Sequence, residues 1–179
     1  MKVLGCFLAN PRTSFYKKEL ARKLEMSPSA VVRAVEYFEA EGLLLKEIKG
    51  REHFYVLNLE NCIVPPLKKA YGLALVLSAR PEETFLDADP GLISLALYGS
   101  YARGDFDERS DIDFLVLTHT DKLKLMPALG SVENKLGIES NISVFSLSAW
   151  KSLADSGDAY YKNVVRDHIL LHGSGIKWS

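Results

Sequence analysis

The stretch Gly99-Ser100-Tyr101-Ala102-Arg103-Gly104, followed by Ser110-Asp111-Ile112-Asp113, constrains this chain more than any other. Ser94 to Tyr98 is an apolar run that ends at the small-residue turn, and Phe114 to Leu117 continues the second segment as another apolar run. Two buried strands meeting at that turn are expected. Strand side chains alternate faces, so Asp111 and Asp113 point the same way while Ile112 enters the core. Two such carboxylates repel each other unless a cation lies between them, and hard oxygen donors favour Mg²⁺ or Mn²⁺. A turn of small residues lets backbone amides approach a phosphate. The combination suits a metal-bound nucleotide. The plainer alternative is a β-turn followed by a strand with solvent-facing aspartates.

Through Gly99, Ser100, Gly104, Ser110, Asp111 and Asp113, at these offsets, the chain resembles the nucleotidyltransferase superfamily of DNA polymerase beta, especially its minimal stand-alone members. The resemblance implies nucleotidyl transfer from a nucleoside triphosphate (NTP) to a hydroxyl, with Asp111 and Asp113 as catalytic metal ligands. It places the β- and γ-phosphates against the backbone around Gly99–Ser100 and the Ser100 hydroxyl, within a nucleotide-binding set that includes Gly104 and Ser110. Arg103 is assigned a further phosphate contact, the alternative being a surface pair with Asp105 or Asp107. Members of the family supply a third carboxylate from a later strand, which binds a second metal and helps deprotonate the attacking hydroxyl. Here Asn141 falls at that place, and a neutral amide cannot act as a base. Glu139, two residues earlier and facing the same side, is either the catalytic replacement or a surface residue.

The first 60 residues read as helix, helix, helix, hairpin. Val3 to Ala9 is a short apolar helix stopped by Asn10-Pro11, and Tyr16 to Glu25 is a second. Ser27-Pro28 supplies an N-cap and a first-turn proline for a third, with Val31, Val35 and Phe38 on one face and Gly42 at its end. Leu43 to Ile48 and His53 to Leu57 flank a charged turn. This order, with the segment from Tyr16 to Leu43, resembles winged-helix DNA-binding regulators of archaea and bacteria. The resemblance puts Ser29, Arg33 and Tyr37 toward a major groove, and Lys49 and Arg51 at phosphates. Protein contact or homodimerisation through the same unit is the alternative.

Charge does not decide between these alternatives. Of 179 residues, 47% are apolar and 25% charged, an ordinary globular balance, and the formal net charge is −1. Residues 1 to 60 carry +2 and the remainder −3, compatible with nucleic-acid contact without arguing for it. Cys6 and Cys62 are too few for a disulfide framework or a zinc cluster. Met1 to Ala9 is too short for a signal peptide, and no apolar run is long enough to span a bilayer. A soluble, cytoplasmic protein without membrane partners is expected.

Pro65-Pro66 marks a boundary, Leu67 to Ala79 reads as a helix, and Pro81 to Pro90 reads as an acidic loop. A helix is expected around Val132 to Leu136 between Gly130 and Gly137, then a strand from Asn141 to Phe145. Ser148 is placed as the cap of a C-terminal helix starting near Ala149, and His168 and His172, one helical turn apart, are read as packing or solvent-facing residues in preference to a metal pair. The run from Asn141 to Trp150 resembles a subgroup in which a winged helix precedes a nucleotidyltransferase-like domain.

The expected fold is α+β. A winged helix-turn-helix (1–64) is followed by a helical connector (65–80) and a nucleotidyltransferase-like domain (81–179) with a mixed β-sheet and flanking helices. Three functions follow: an enzyme transferring a nucleotide with Mg²⁺ or Mn²⁺; a regulator that binds double-stranded DNA and senses NTP; or an antitoxin-like transferase acting on a protein acceptor.

Overall fold

The computed structural model describes residues 2–178. The chain divides into two compact units, residues 1–71 and 72–179.

The first unit contains α1 (Lys2–Ala9), β1 (Phe15–Tyr16), α2 (Lys17–Lys23), α3 (Pro28–Ala40), β2 (Leu44–Lys49) and β3 (Glu52–Leu57). The third helix begins as its sequence requires: the Ser27 hydroxyl accepts from the Ala30 amide at 3.3 Å, and Pro28 occupies the first turn. Gly42 takes φ +71° just beyond its end. Strands β2 and β3 pair in register from Leu44↔Leu57 to Lys49↔Glu52, leaving Gly50-Arg51 as a two-residue turn. The second helix is shorter than expected. Phe15 and Tyr16 pair with Tyr55 and Phe54, so the chain enters α2 from a strand, and Glu25 at φ +52° lies beyond its end. Phe7, Leu20, Val31, Val35 and Tyr55 are buried in one core.

A long helix, α4 (Val64–Ser78), crosses the division between the units. Pro65 and Pro66 lie in its first turn, where no intrahelical N–H is required, so they start the helix instead of breaking the chain.

The second unit continues with α5 (Pro81–Ala88), β4 (Ser94–Tyr98), α6 (Gly99–Arg103), β5 (Ile112–Leu117), α7 (Lys122–Leu136), β6 (Ser140–Phe145), α8 (Leu147–Asp155), α9 (Ala159–Asp167) and β7 (Ile169–Gly173). Its four-stranded sheet has the order β6-β5-β4-β7, with β5 and β6 parallel and the other pairs antiparallel. On one face Phe85 of α5 meets Phe114, ring centroids 5.7 Å apart. On the other, Leu115 and Leu117 join Trp150, Tyr161, Val164 and Ile176. Trp150 donates its indole N–H to the Ile176 carbonyl at 2.8 Å, fastening the C-terminal segment beneath the sheet.

Four expectations need correction here, and one strand is additional. Pro81 to Pro90 is mostly helix α5, because Pro81 at the first position and Glu82 and Glu83 in the first turn favour initiation. Helix α7 runs through Gly130, since a single glycine costs a helix interior only about 1 kcal/mol relative to alanine. Ser146, not Ser148, caps α8, accepting from the Ala149 amide at 3.2 Å. His168 caps the C-terminal end of α9 and His172 lies on β7, so they do not share a helix face. Strand β7 itself was not expected; it completes the sheet beside β4.

Candidate nucleotide site

The site forms where β4 ends and β5 begins. After Tyr98 the chain turns at Gly99, φ +72°, into the single turn and a half of α6, which closes at Gly104, φ +89°. The Ser100 carbonyl accepts from the amides of Gly104 at 2.8 Å and Asp105 at 3.2 Å. Tyr101 stacks on Phe106 with centroids 4.4 Å apart and planes 7° from parallel, anchoring the following loop.

Asp113 stands opposite Tyr98 on β4 and opposite Asn141 on β6. It shares the alternating face of Leu115 and Leu117, while Ile112 is fully buried on the other. Asp111 immediately precedes β5 and is half-buried like Asp113. The Asn141 side-chain nitrogen donates to Asp111 Oδ2 and to Asp113 Oδ1, each at 3.3 Å. One amide therefore joins both carboxylates of the motif to the residue standing in the third position. Burial pushes the Asp113 carboxyl above its ordinary range, and the Asp111 charge adds to that. The Asn141 hydrogen bond and the Arg103 charge oppose the rise without cancelling it.

The other motif residues are placed as follows. Arg103 donates to Asp105 at 3.0 Å, so it is paired locally and also acts electrostatically on Asp113. Ser110 is committed to its own loop: its hydroxyl accepts from the Asp107 amide at 2.9 Å and donates to Asp107 Oδ1 at 3.2 Å. Its role in the structure is to hold the turn that delivers Asp111. Glu139 is exposed one residue before β6, and its carbonyl accepts from the Ile112 amide at 3.0 Å. It lines an open groove of about 430 Å³ together with Glu133, Ser140 and Asn141.

A chain of hydroxyls beside the carboxylates was missed. Tyr160 of α9 donates to the Tyr98 hydroxyl at 3.1 Å, which lies 3.2 Å from Ser143 Oγ. Burial holds the Tyr160 phenol well above the usual tyrosine range, and the Asp113 charge contributes. The available signal was alternation: Ser143 follows Asn141 by two, and both face the side that Tyr98 and Asp113 face.

In the first unit, Ser29, Arg33 and Tyr37 are exposed along α3, Tyr37 at 60%. Lys49 and Arg51 are exposed at the hairpin turn. Lys49 pairs with Glu47 at 2.9 Å and lies 5.1 Å from the Phe54 ring centroid. Arg51 lines a groove with Tyr16, Lys17, Lys18 and His53.

Sequence comparison finds similarity within the second unit. The family model of the nucleotidyltransferase domain matches residues 82–164, from α5 to α9, and the region includes every residue of the motif. The stretch so matched is thus similar to a nucleotidyltransferase domain over 82–164. A Methanocaldococcus jannaschii protein named "Putative protein adenylyltransferase" is 46% identical over 48 residues, which is 27% of this chain. The match covers 43% of that protein, so the chain spans less than half the length of its curated relative.

Solved structures to which the chain shows a partial likeness include a toxin–antitoxin structure with AMP-PNP, 24% identical over 55% of this chain and 75% of that one, TM-score 0.40. A tri-AMPylated HEPN toxin with its MNT antitoxin from Shewanella oneidensis is 19% identical over 62% and 73%, TM-score 0.36. A nucleotidyltransferase-type protein from Sulfolobus solfataricus is 22% identical over 61% and 86%, TM-score 0.34. Among the described residues no helix is long and apolar enough to cross a membrane.

Proposed function

We propose that the second unit binds a magnesium–NTP complex and transfers its nucleotidyl group to a hydroxyl of a protein acceptor. The observation that carries this reading is the convergence of Asp111, Asp113 and Asn141 beside the Gly99 turn, with Asn141 at 3.3 Å from both carboxylates. Carboxylate and amide oxygens are hard donors, the set that Mg²⁺ or Mn²⁺ prefers, so the residues fit the ion. When bound, such an ion screens charge on the triphosphate during in-line displacement. Asp111 and Asp113 would hold it, and the Gly99–Ser100 backbone would face the phosphates. Arg103 keeps its pair with Asp105 and lends positive potential to the same region. The site has no carboxylate at position 141 to take the acceptor's proton, so transfer is slow. A positioned base typically contributes about 10²- to 10⁴-fold in rate. The name of the M. jannaschii relative supports a protein acceptor and an adenylyl group.

The test is incubation of the full chain with α-labelled ATP, Mg²⁺ and a cell extract of its source. Label on an acceptor protein, lost in Asp111→Asn/Asp113→Asn, supports transfer. A nucleotide that binds but never labels any protein leaves a sensor in place of an enzyme.

A second reading applies to the first unit. We infer a winged helix that contacts double-stranded DNA, supported by the exposed line of Ser29, Arg33 and Tyr37 on α3 and by Lys49 and Arg51 at the hairpin turn. Together the two readings describe a regulator joined to a nucleotide site.

A further inference from the structure

We propose that Asn141 is an amide latch between Asp111 and Asp113, and that the site takes a single divalent cation, which displaces the latch's N–H groups and gains its carbonyl oxygen as a third ligand. This rests on the reading of Asp111 and Asp113 as metal ligands. The geometry is that of one –NH₂ group serving two acceptors: Asn141 Nδ2 lies 3.3 Å from Asp111 Oδ2 and 3.3 Å from Asp113 Oδ1. A primary amide has two N–H donors and one carbonyl oxygen, so both donors are spent on the carboxylates. The nitrogen thus lies where two neighbouring carboxylates would otherwise need a cation between them.

A half-turn about the last side-chain bond exchanges the nitrogen for the oxygen at nearly the same place. No backbone movement is required. The pairing of Asp113 with Asn141 across parallel strands β5 and β6 keeps the amide at this station in either orientation. Asn141 is exposed, so an ion from solvent reaches the carboxylates along the side the amide occupies. The donor set after rotation is two carboxylates and one neutral oxygen. Its charge of two matches one divalent ion. Among the described residues no group of three or more His, Cys, Asp or Glu side chains is placed to hold a metal, so the acidic donors at this site are Asp111 and Asp113 alone. The same amide therefore quiets the charge pair without an ion and limits the site to one ion when it fills.

The experiment uses the full chain without nucleotide. Mn²⁺ is titrated with free ion followed by electron paramagnetic resonance, and Mg²⁺ is titrated with the assigned Asn141 side-chain amide pair followed by ¹H–¹⁵N correlation. One Mn²⁺ per chain is expected, with an Asn141 amide shift that saturates at one equivalent of Mg²⁺. The isosteric Asp111→Asn/Asp113→Asn variant should lose both responses, and Asn141→Asp should bind the ion roughly tenfold more tightly or take a second one. Two equal ions on the wild type would overturn the proposal, as would no ion at all. An amide pair that stays fixed while the ion binds would overturn it as well. Transfer is not read in this experiment. One ion bound without any labelled acceptor counts against the transferase reading alone, whereas labelled acceptor with two ions bound counts against the latch alone.

Discussion

A methyl group on Gly99 would sit 2.2 Å from Asp113 Oδ2, at a backbone φ of +72° that side chains disfavour. The turn after β4 and the second carboxylate of β5 thus occupy adjoining space, and only a residue without a side chain lets them do so. Gly99→Ala should lose about 1–2 kcal/mol from the left-handed backbone alone and should also push the Asp113 carboxylate out of place. Gly173→Ala is the comparison: φ is +82° there and the new Cβ would meet the Ile93 carbonyl at 2.0 Å, away from the carboxylates. Urea denaturation should show both variants destabilised. Calorimetry with Mg–ATP should show binding lost in Gly99→Ala and retained in Gly173→Ala below its unfolding midpoint.

Asp113 is held above the usual carboxylate range chiefly by burial. Its native state therefore binds a proton more tightly than the unfolded chain does. That contribution to stability is full below the unfolded pKa and disappears as pH rises through the higher native one. Without a divalent ion, Asp113→Asn should unfold at higher urea than wild type at neutral pH, and the gap should narrow as the pH falls toward the acid range. Denaturation curves in EDTA at a series of pH values give the answer. A variant less stable than wild type at neutral pH would show that ionised Asp113 stabilises the ion-free fold.

Much of this site was legible in the sequence because its signals are local. The apolar run before Gly99 and the alternation through Asp111, Ile112 and Asp113 set both strands and the facing of the carboxylates. Asn141 was recognisable as the odd residue at its place. What it touches was not legible, because the hydrogen bonds to Asp111 and Asp113 depend on the register of β5 against β6, a pairing between segments some thirty residues apart. Helix α5 was hidden for a different reason. Prolines and acids between Pro81 and Pro90 suit a loop as well as a helix start, and the deciding contact, Phe85 on Phe114, is again non-local. Strand β7 is five residues with a weakly buried pattern, and it exists because β4 offers it an edge.

If the first unit binds DNA, its affinity should come mainly from phosphate contacts by exposed cations. Full-chain binding to a mixed-sequence duplex should fall roughly tenfold or more between about 50 and 200 mM salt. Arg33→Ala and the pair Lys49→Ala/Arg51→Ala should each weaken it and lower the salt slope by about one per cation removed. Gel shift or fluorescence anisotropy reads this. A chain that shifts no duplex at low salt would make the unit a protein-contact or dimerisation module.

The most direct test of the central claim is calorimetric titration of ATP into the full chain with Mg²⁺, with EDTA, and with Mg²⁺ in the Asp111→Asn/Asp113→Asn variant. At about 4 Å and an intermediate dielectric, a like-charge pair costs on the order of 4 kcal/mol. Two carboxylates facing a triphosphate should therefore exclude it unless an ion intervenes. The expected result is binding by the wild type with Mg²⁺, none in EDTA, and none by the variant with Mg²⁺. Equal affinity in all three conditions would contradict a metal-dependent nucleotide site built on Asp111 and Asp113.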